Sequence, residues 1–204
     1  MWGNRNLHRS TVEDVTEQQP YEVVRAYEGF ELRRYPAFTM AEVTIASSFE
    51  QAGSSAFRLL FAYISGANRV RASIEMTSPV VQAQKVAMTA PVVQHTDASG
   101  EHIVAFVLPA GLTVETAPEP SDPRVKVVAH AGGLAAATRY SGRWSQASYQ
   151  GHCTRLESAI ALEGFRSIGP PRFARFDPPF KPWFLRRNEV VIDVADPTYP
   201  ADAH

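Results

Sequence analysis

Residues 177–190 read DPPFKPWFLRRNEV, a stretch with three prolines, three aromatic rings and three cations. Pro178, Pro179 and Pro182 fix φ and remove backbone donors, so a stiff loop is expected here rather than a strand. A stiff loop loses little entropy when it holds a ligand. Phe180, Trp183 and Phe184 can offer flat apolar surface. Lys181, Arg186 and Arg187 can pair with carboxylates, the arginines through two parallel hydrogen bonds. The same residues allow a structural role: Arg186, Arg187, Asn188 and Glu189 pin the loop to the rest of the fold, with the aromatics in the core. The stretch alone leaves both open.

Other reactive side chains are more scattered. Met76 and Met88 can act as soft metal ligands or as core filler, and their repeated Met-Thr-X-Pro-Val setting argues for filler. His95 and His102 flank a hairpin-like connection, face each other across it and are expected in solvent, where they make a poor metal site. His130 lies near a strand end. His152 adjoins Cys153 on an expected helix, but neighbours there point about 100° apart and cannot chelate together. HExxH, CxxC, CxxCH, GxSxG, GxGxxG and P-loop patterns are missing, so zinc, covalent haem, an elbow serine and nucleotide phosphates lack support. Glu31, Glu42 and Glu75 sit on expected strands. If one faced inward, its pKa would rise and it could bind a cation or act as an acid.

The elements that must position these groups can be read from the pattern. The chain has 204 residues, 45% hydrophobic and 20% charged, enough to bury a core. Its formal net charge of −1 gives no global field for nucleic acid or an anionic membrane. The single cysteine permits no internal disulfide, as suits a reducing cytosol, and the apolar runs are too short to span a bilayer. A cytoplasmic protein is expected. Strands are expected at 21–27 and 30–45, with Pro36 as a break, and at 74–82, 85–94 and 103–109. A helix is expected over 47–68, with Ser47 and Glu50 at capping-box spacing and Gly66 as terminator. On it Phe49, Ala52, Ala56, Leu59, Leu60 and Tyr63 share one face, and Phe57, Phe61 and Ile64 widen that face beyond what docking needs. After the proline-rich boundary at 116–124 come strands at 125–131 and 134–142, a helix over 145–163 and two closing strands. The order strand, strand, helix, strand, strand occurs twice. The fold class is α+β, a distorted, mostly antiparallel β-barrel of two such halves with two packed helices. A polar tail is expected over 1–19, one domain over 20–195 with halves at about 20–117 and 124–195, and a tail over 196–204.

YEVVRAYEGFELRRY, FAYISGAN, IEMTSPV, KVAMTAPV and FARFDPPFKPWFLRRNEVVIDV occur in an order that resembles the SOUL/haem-binding protein family, over roughly residues 20–194. The resemblance implies the two-halved barrel and non-covalent binding of haem or a related tetrapyrrole in a shallow apolar cleft along the first helix and the DPP loop. The family's helix positions match Phe57 and Phe61, with Ile64 beside them. Its loop cation matches Lys181, with Phe180 and Arg186 adjoining. Other basic helix positions proposed in the family match Ser54 and Ala62. The histidine proposed as axial ligand in some members matches Arg34, so the resemblance supplies no iron ligand here. It implies a non-enzymatic carrier or buffer whose partner is a small tetrapyrrole, with neither nucleic acid nor membrane insertion. Two alternatives stay open: a gyrase-inhibitor-like module with a pocket and buried carboxylate inside the barrel, and an enzyme acting on haem or another porphyrin.

Overall fold

The structure, a computed structural model, describes residues 17–70 and 83–195. Nine strands form one antiparallel sheet: β2 (Glu22–Tyr27), β3 (Phe30–Tyr35), β4 (Phe38–Ile45), β7 (Val92–Thr96), β8 (His102–Val107), β10 (Lys126–His130), β11 (Gly133–Tyr140), β12 (Arg172–Arg175) and β13 (Asn188–Asp193). Two small ladders accompany it: β1 (Glu17–Gln18) runs parallel to β6 (Thr89–Ala90), and β5 (Asn68–Arg69) pairs with β9 (Glu119–Pro120). The large sheet runs β10-β4-β8-β7-β12-β13-β11-β3-β2. The α+β class therefore holds, with two α-helices on a large antiparallel sheet.

The expected barrel closure is corrected. Among the described residues no ladder joins the edge strands β2 and β10, so the sheet stays open. It nonetheless curls: His130 on edge strand β10 approaches Asp193 on β13, five places along, with Nε2 3.7 Å from Oδ2. β3 pairs with β11 rather than with its chain neighbour β4, while β10 pairs with β4 rather than with β11. The β3–β4 and β10–β11 connections therefore pass one another. Gly132 sits against the Tyr35 and Pro36 backbone there, at φ +76°.

Helix α1 (Phe49–Ile64) starts one residue later than the spacing suggests. Ser48, not Ser47, is the N-cap, and its side chain accepts a hydrogen bond from Gln51 N. Gly66 follows the last turn with a positive φ of 118°. Ala52, Ala56, Leu60, Tyr63 and Ile64 are buried against Ala41, Val43, Val104 and Phe106 of β4 and β8. Helix α2 (Gln146–Leu162), capped by Ser145, buries Cys153, Leu156 and Ile160 against Phe173, Val190 and Ile192. The opposite, concave face of the sheet carries Met40, Val93, Ala105 and Val107 in one cluster and Tyr35, Ala135, Ala137, Ala174 and Val191 in another.

Several side chains depart from their expected places. Met88 is exposed rather than core, in a segment that forms only the short β6 before β7 begins at Val92. The Met76 and Glu75 readings lie outside the described residues. His95 and His102 do not face each other: His95 is opposite Ile103, and His102 is opposite Thr96. His102 is buried, edge-on to Phe49 and bonded to Thr96 Oγ1, because β8 continues into the core. His95 is half-buried, and burial lowers its pKa.

Candidate ligand-binding surface

Phe57 and Phe61 lie one helical turn apart on α1 and stack with ring centroids 5.7 Å apart and planes 12° apart. Phe57 also meets Phe106 of β8 edge-on, which anchors the pair to the sheet. Both rings remain open to solvent, Phe61 at 47% exposure. Ile64, grouped with them from the sequence, is only 5% exposed and packs in the core under α1. It is therefore removed from the open flank: the last helical turn is covered where Val86 N donates to Ile64 O.

The loop after β12 is built as its prolines demand. It has no ladder partner and contains one short 3-10 turn, Trp183–Leu185. Asp177 organises it, accepting from Lys181 Nζ at 2.6 Å and from Arg187 N at 2.5 Å. Arg186 donates through Nε to Lys181 O at 2.8 Å and through Nη2 to Pro179 O, and its guanidinium lies 4.3 Å from the Trp144 ring. Arg187 pairs with Glu189, and Asn188 bonds both Trp144 Nε1 and Gly142 O. The cations and Asn188 thus pin the loop. The aromatics are not in the core, which corrects that half of the structural reading: Phe180 is 86% exposed, and Trp183, Phe184 and Leu185 are also open. With so many backbone and side-chain partners the loop is held without burying its rings.

Between α1 and the strand that leads into the loop lies a buried cation that the sequence reading did not single out. Arg175 at the end of β12 lies between Phe173, Trp144 and Phe49 and bonds the Gln94 side chain, itself tied to Phe49 O. Its guanidinium also fills the space that a Cβ on Gly53 of α1 would take. Burial lowers its pKa to about 10, so it stays charged at neutral pH. Its partners are rings and an amide rather than a carboxylate, and its Nε has no hydrogen-bond partner. Gly53, Phe57 and Phe61 are spaced by four residues and share a stripe of the helix. Neither ring of that stripe stacks on residues 177–187 among the described contacts. Arg175, packed against Gly53 of α1, and Arg186 of the loop both approach the Trp144 ring, at 5.3 Å and 4.3 Å from its centroid.

A fully buried carboxylate does exist on the concave face, but it is Glu189, not Glu31 or Glu42. Glu189 lies 2.6 Å from buried Arg33 and 2.7 Å from Arg187. Arg33 also pairs with half-buried Glu31 and lies 4.1 Å from the Tyr21 ring. Burial works against the Arg33 charge, but Glu189 and Tyr35 outweigh it and raise its pKa. The cavity beside this cluster holds only about 20 Å³, close to the least that admits one water. With two arginines already on Glu189, an organic cation has neither room nor unspent charge there. Glu42 has its pKa raised by partial burial. Cys153 is buried, and burial with Glu157 nearby pushes its thiol up to about 12, so it is no ready nucleophile. No group of three or more His, Cys, Asp or Glu among the described residues is arranged to hold a metal ion. No helix among them is long and apolar enough to cross a membrane.

An open antiparallel sheet with two helices on one face, a stacked aromatic pair on the first helix and a stiff basic-aromatic loop define an α+β protein. The chain belongs to the SOUL heme-binding protein family, which it matches over residues 16–193. It is 27% identical over 163 residues to heme-binding protein 1 of Xenopus tropicalis, spanning 79% of this chain and 81% of that one. Among solved structures it is similar to the C-terminal domain of EcmrR, with TM-score 0.56, 10% identity and 86% and 98% of the two chains covered. It is also similar to a hydrolase from Listeria innocua, with TM-score 0.52, 13% identity and 84% and 94% covered. At such identities these two likenesses concern the fold alone.

Proposed function

We propose that the protein binds haem or a related tetrapyrrole non-covalently, as a carrier or buffer rather than an enzyme, on the surface formed by α1 and the DPP loop. The observation that carries this is the solvent-open stack of Phe57 on Phe61 on α1, beside a loop that keeps Phe180 exposed and whose Arg186 approaches the same Trp144 ring as Arg175, the cation packed against Gly53 of α1. Exposed rings held in place by a structured neighbourhood offer a flat apolar ligand contact at low ordering cost. Lys181 is half-exposed and shares its ammonium with Asp177, leaving donor capacity for a propionate. Arg186, whose Nε and Nη2 hold backbone carbonyls, serves the site by fixing the loop. Phe57, Phe61, Phe180, Lys181 and Arg186 bring no imidazole, thiolate or thioether. The ring is therefore gripped by its face and its carboxylates, with no iron ligand assigned among these residues. Membership of the family and the likeness to heme-binding protein 1 support the ligand class.

The test is a titration of the purified protein with haemin by absorbance and with iron-free protoporphyrin by fluorescence. Both should bind saturably. Lys181→Glu and Phe61→Asp should each weaken binding by about tenfold, the scale of one lost charge-assisted contact or one lost aromatic face. Phe61 is solvent-open and Lys181 half-exposed on a surface loop, neither in the core, so the variants should stay folded, as circular dichroism would show. Unchanged affinity in both folded variants would move the site elsewhere; failure of both ligands to bind would end the tetrapyrrole proposal.

A further inference from the structure

Trp183, Phe184 and Leu185 are not among the residues assigned to the tetrapyrrole. They are consecutive, they form the 3-10 turn of the DPP loop, and all three are exposed, the least of them Trp183 at 47%. Single exposed apolar side chains are ordinary on a protein surface, but a contiguous set marks contact with a protein or a membrane. The set is also ordered. Trp183 meets Phe184 edge-on with centroids 5.7 Å apart, and the Arg143 guanidinium lies 5.4 Å from the Trp183 ring. The backbone of the turn is largely spent within the loop. Pro178, Pro179 and Pro182 bring no N–H, and Lys181, Leu185 and Arg186 donate theirs to Pro178 O, Pro182 O and Trp183 O. The Arg186 side chain takes Pro179 O and Lys181 O. Peptide groups paired in this way cost less to remove from water.

Charge says what the turn fits. Residues 177–187 hold three cations and one carboxylate. Lys181 pairs with Asp177, and Arg187 pairs with Glu189. Arg186 meets backbone carbonyls and the Trp144 ring, and exposed Arg143 meets the Trp183 ring; among the described residues neither has a carboxylate partner. The surplus around the turn is therefore positive, although the whole chain carries −1. Three side chains of one turn are few for a protein interface, which takes about 20–30 residues a side. They suit a peripheral bilayer contact, where aromatic rings settle at headgroup depth and nearby arginines meet lipid phosphates.

We propose that the Trp183–Leu185 turn docks the protein on the surface of an anionic phospholipid bilayer, with its rings at headgroup depth and with Arg143 and Arg186 against lipid phosphates. This is attachment to the surface, without a spanning segment.

The experiment sediments the full chain with vesicles of phosphatidylcholine alone and with vesicles that also carry about 30% phosphatidylserine. Binding should saturate on the anionic vesicles, be at least about fivefold weaker on the neutral ones, and fall as salt is raised. Phe184→Asp should weaken it about tenfold or more, the scale of one buried ring. Arg143→Ala should weaken it about fivefold, the scale of one surface cation. Leu185→Asp repeats the apolar test if Phe184→Asp fails to fold. Leu162→Asp places the same acid at another exposed apolar position, about 24 Å along α2 from Gln146, and should leave binding unchanged. Haemin is absent throughout, so the outcome is separate from that of the tetrapyrrole titration. Binding to anionic vesicles no tighter than to neutral ones, or binding that Phe184→Asp, Leu185→Asp and Arg143→Ala all leave intact, overturns the proposal. So does a dimer, seen by sedimentation velocity, that Phe184→Asp dissolves, because a second copy then covers the rings.

Discussion

Arg33 and Glu189 bring opposite charges to 2.6 Å on the concave face with almost no exposure. Arg187 adds a second guanidinium to the same carboxylate. Such a cluster tolerates the loss of all its charges better than the loss of one, because the remaining charge is left buried and unpaired. Glu189→Gln removes the anion between two cations and should cost about 3–5 kcal/mol, read as a lowered midpoint in urea denaturation. The double variant Arg33→Met with Glu189→Leu removes the strongest buried pair and should recover part of that loss. If Glu189→Gln were as stable as the parent, the cluster would be held open to water rather than sealed.

At the scale of elements, two helical glycines with different surroundings predict opposite signs. Gly151 of α2 has open space where a Cβ would stand, so Gly151→Ala should stabilise by about 0.5–1 kcal/mol through helix propensity alone. Gly53 of α1 faces the Arg175 guanidinium, which three rings and Gln94 hold in place. Gly53→Ala should therefore destabilise by about 1–3 kcal/mol, the cost of overpacking, despite the same gain in propensity. Thermal melts of the two variants side by side would check the pair; a rise in both would mean that Arg175 yields freely. The helices themselves were legible in the sequence, because caps and apolar periodicity are local. The border of the α1 core was not. Ile64 projects about 20° from Phe57 around the axis, yet one is sealed and the other open. Val86, more than twenty residues on, makes that difference, and no periodicity contains it. The loop rings were likewise illegible as to burial: stiffness follows from proline, but their exposure depends on Asp177, Arg186 and Asn188 holding the loop from within. Arg175 was missed for the same reason, and Glu189, read only as pinning the loop, was missed as the buried carboxylate, since the partners that bury them come from other strands and helices. Period-two alternation along β13 puts Glu189 on one face with Val191 and Asp193, a mostly acidic set that carries no signal of burial.

For the molecule as a whole, strand order was the part least accessible from sequence. Alternation locates β3, β4, β10 and β11, but it does not say that β3 pairs with β11 while β10 pairs with β4. That exchange ties the early and late parts of the chain into one sheet, and it brings the two connections together at Gly132. Two demands coincide on this residue. Its φ of +76° lies in the left-handed region, where an L side chain is strained, and a Cβ would run into the Tyr35 carbonyl and the Pro36 backbone. Main chain cannot swing aside as a long side chain can, so the passing connections would have to separate. They cannot do so without disturbing the adjacent Gly133–Tyr35 and His130–Phe38 pairings at the ends of two ladders. Gly132→Ala should therefore cost about 3 kcal/mol or more, summing backbone strain and overpacking. By contrast Gly133→Ala meets open space and bears mainly the backbone strain of its own positive φ. Urea denaturation of both variants separates the two contributions. A Gly132→Ala loss no larger than that of Gly133→Ala would show that the connections pass with room to spare, and that the early and late strands are held together by their ladders alone.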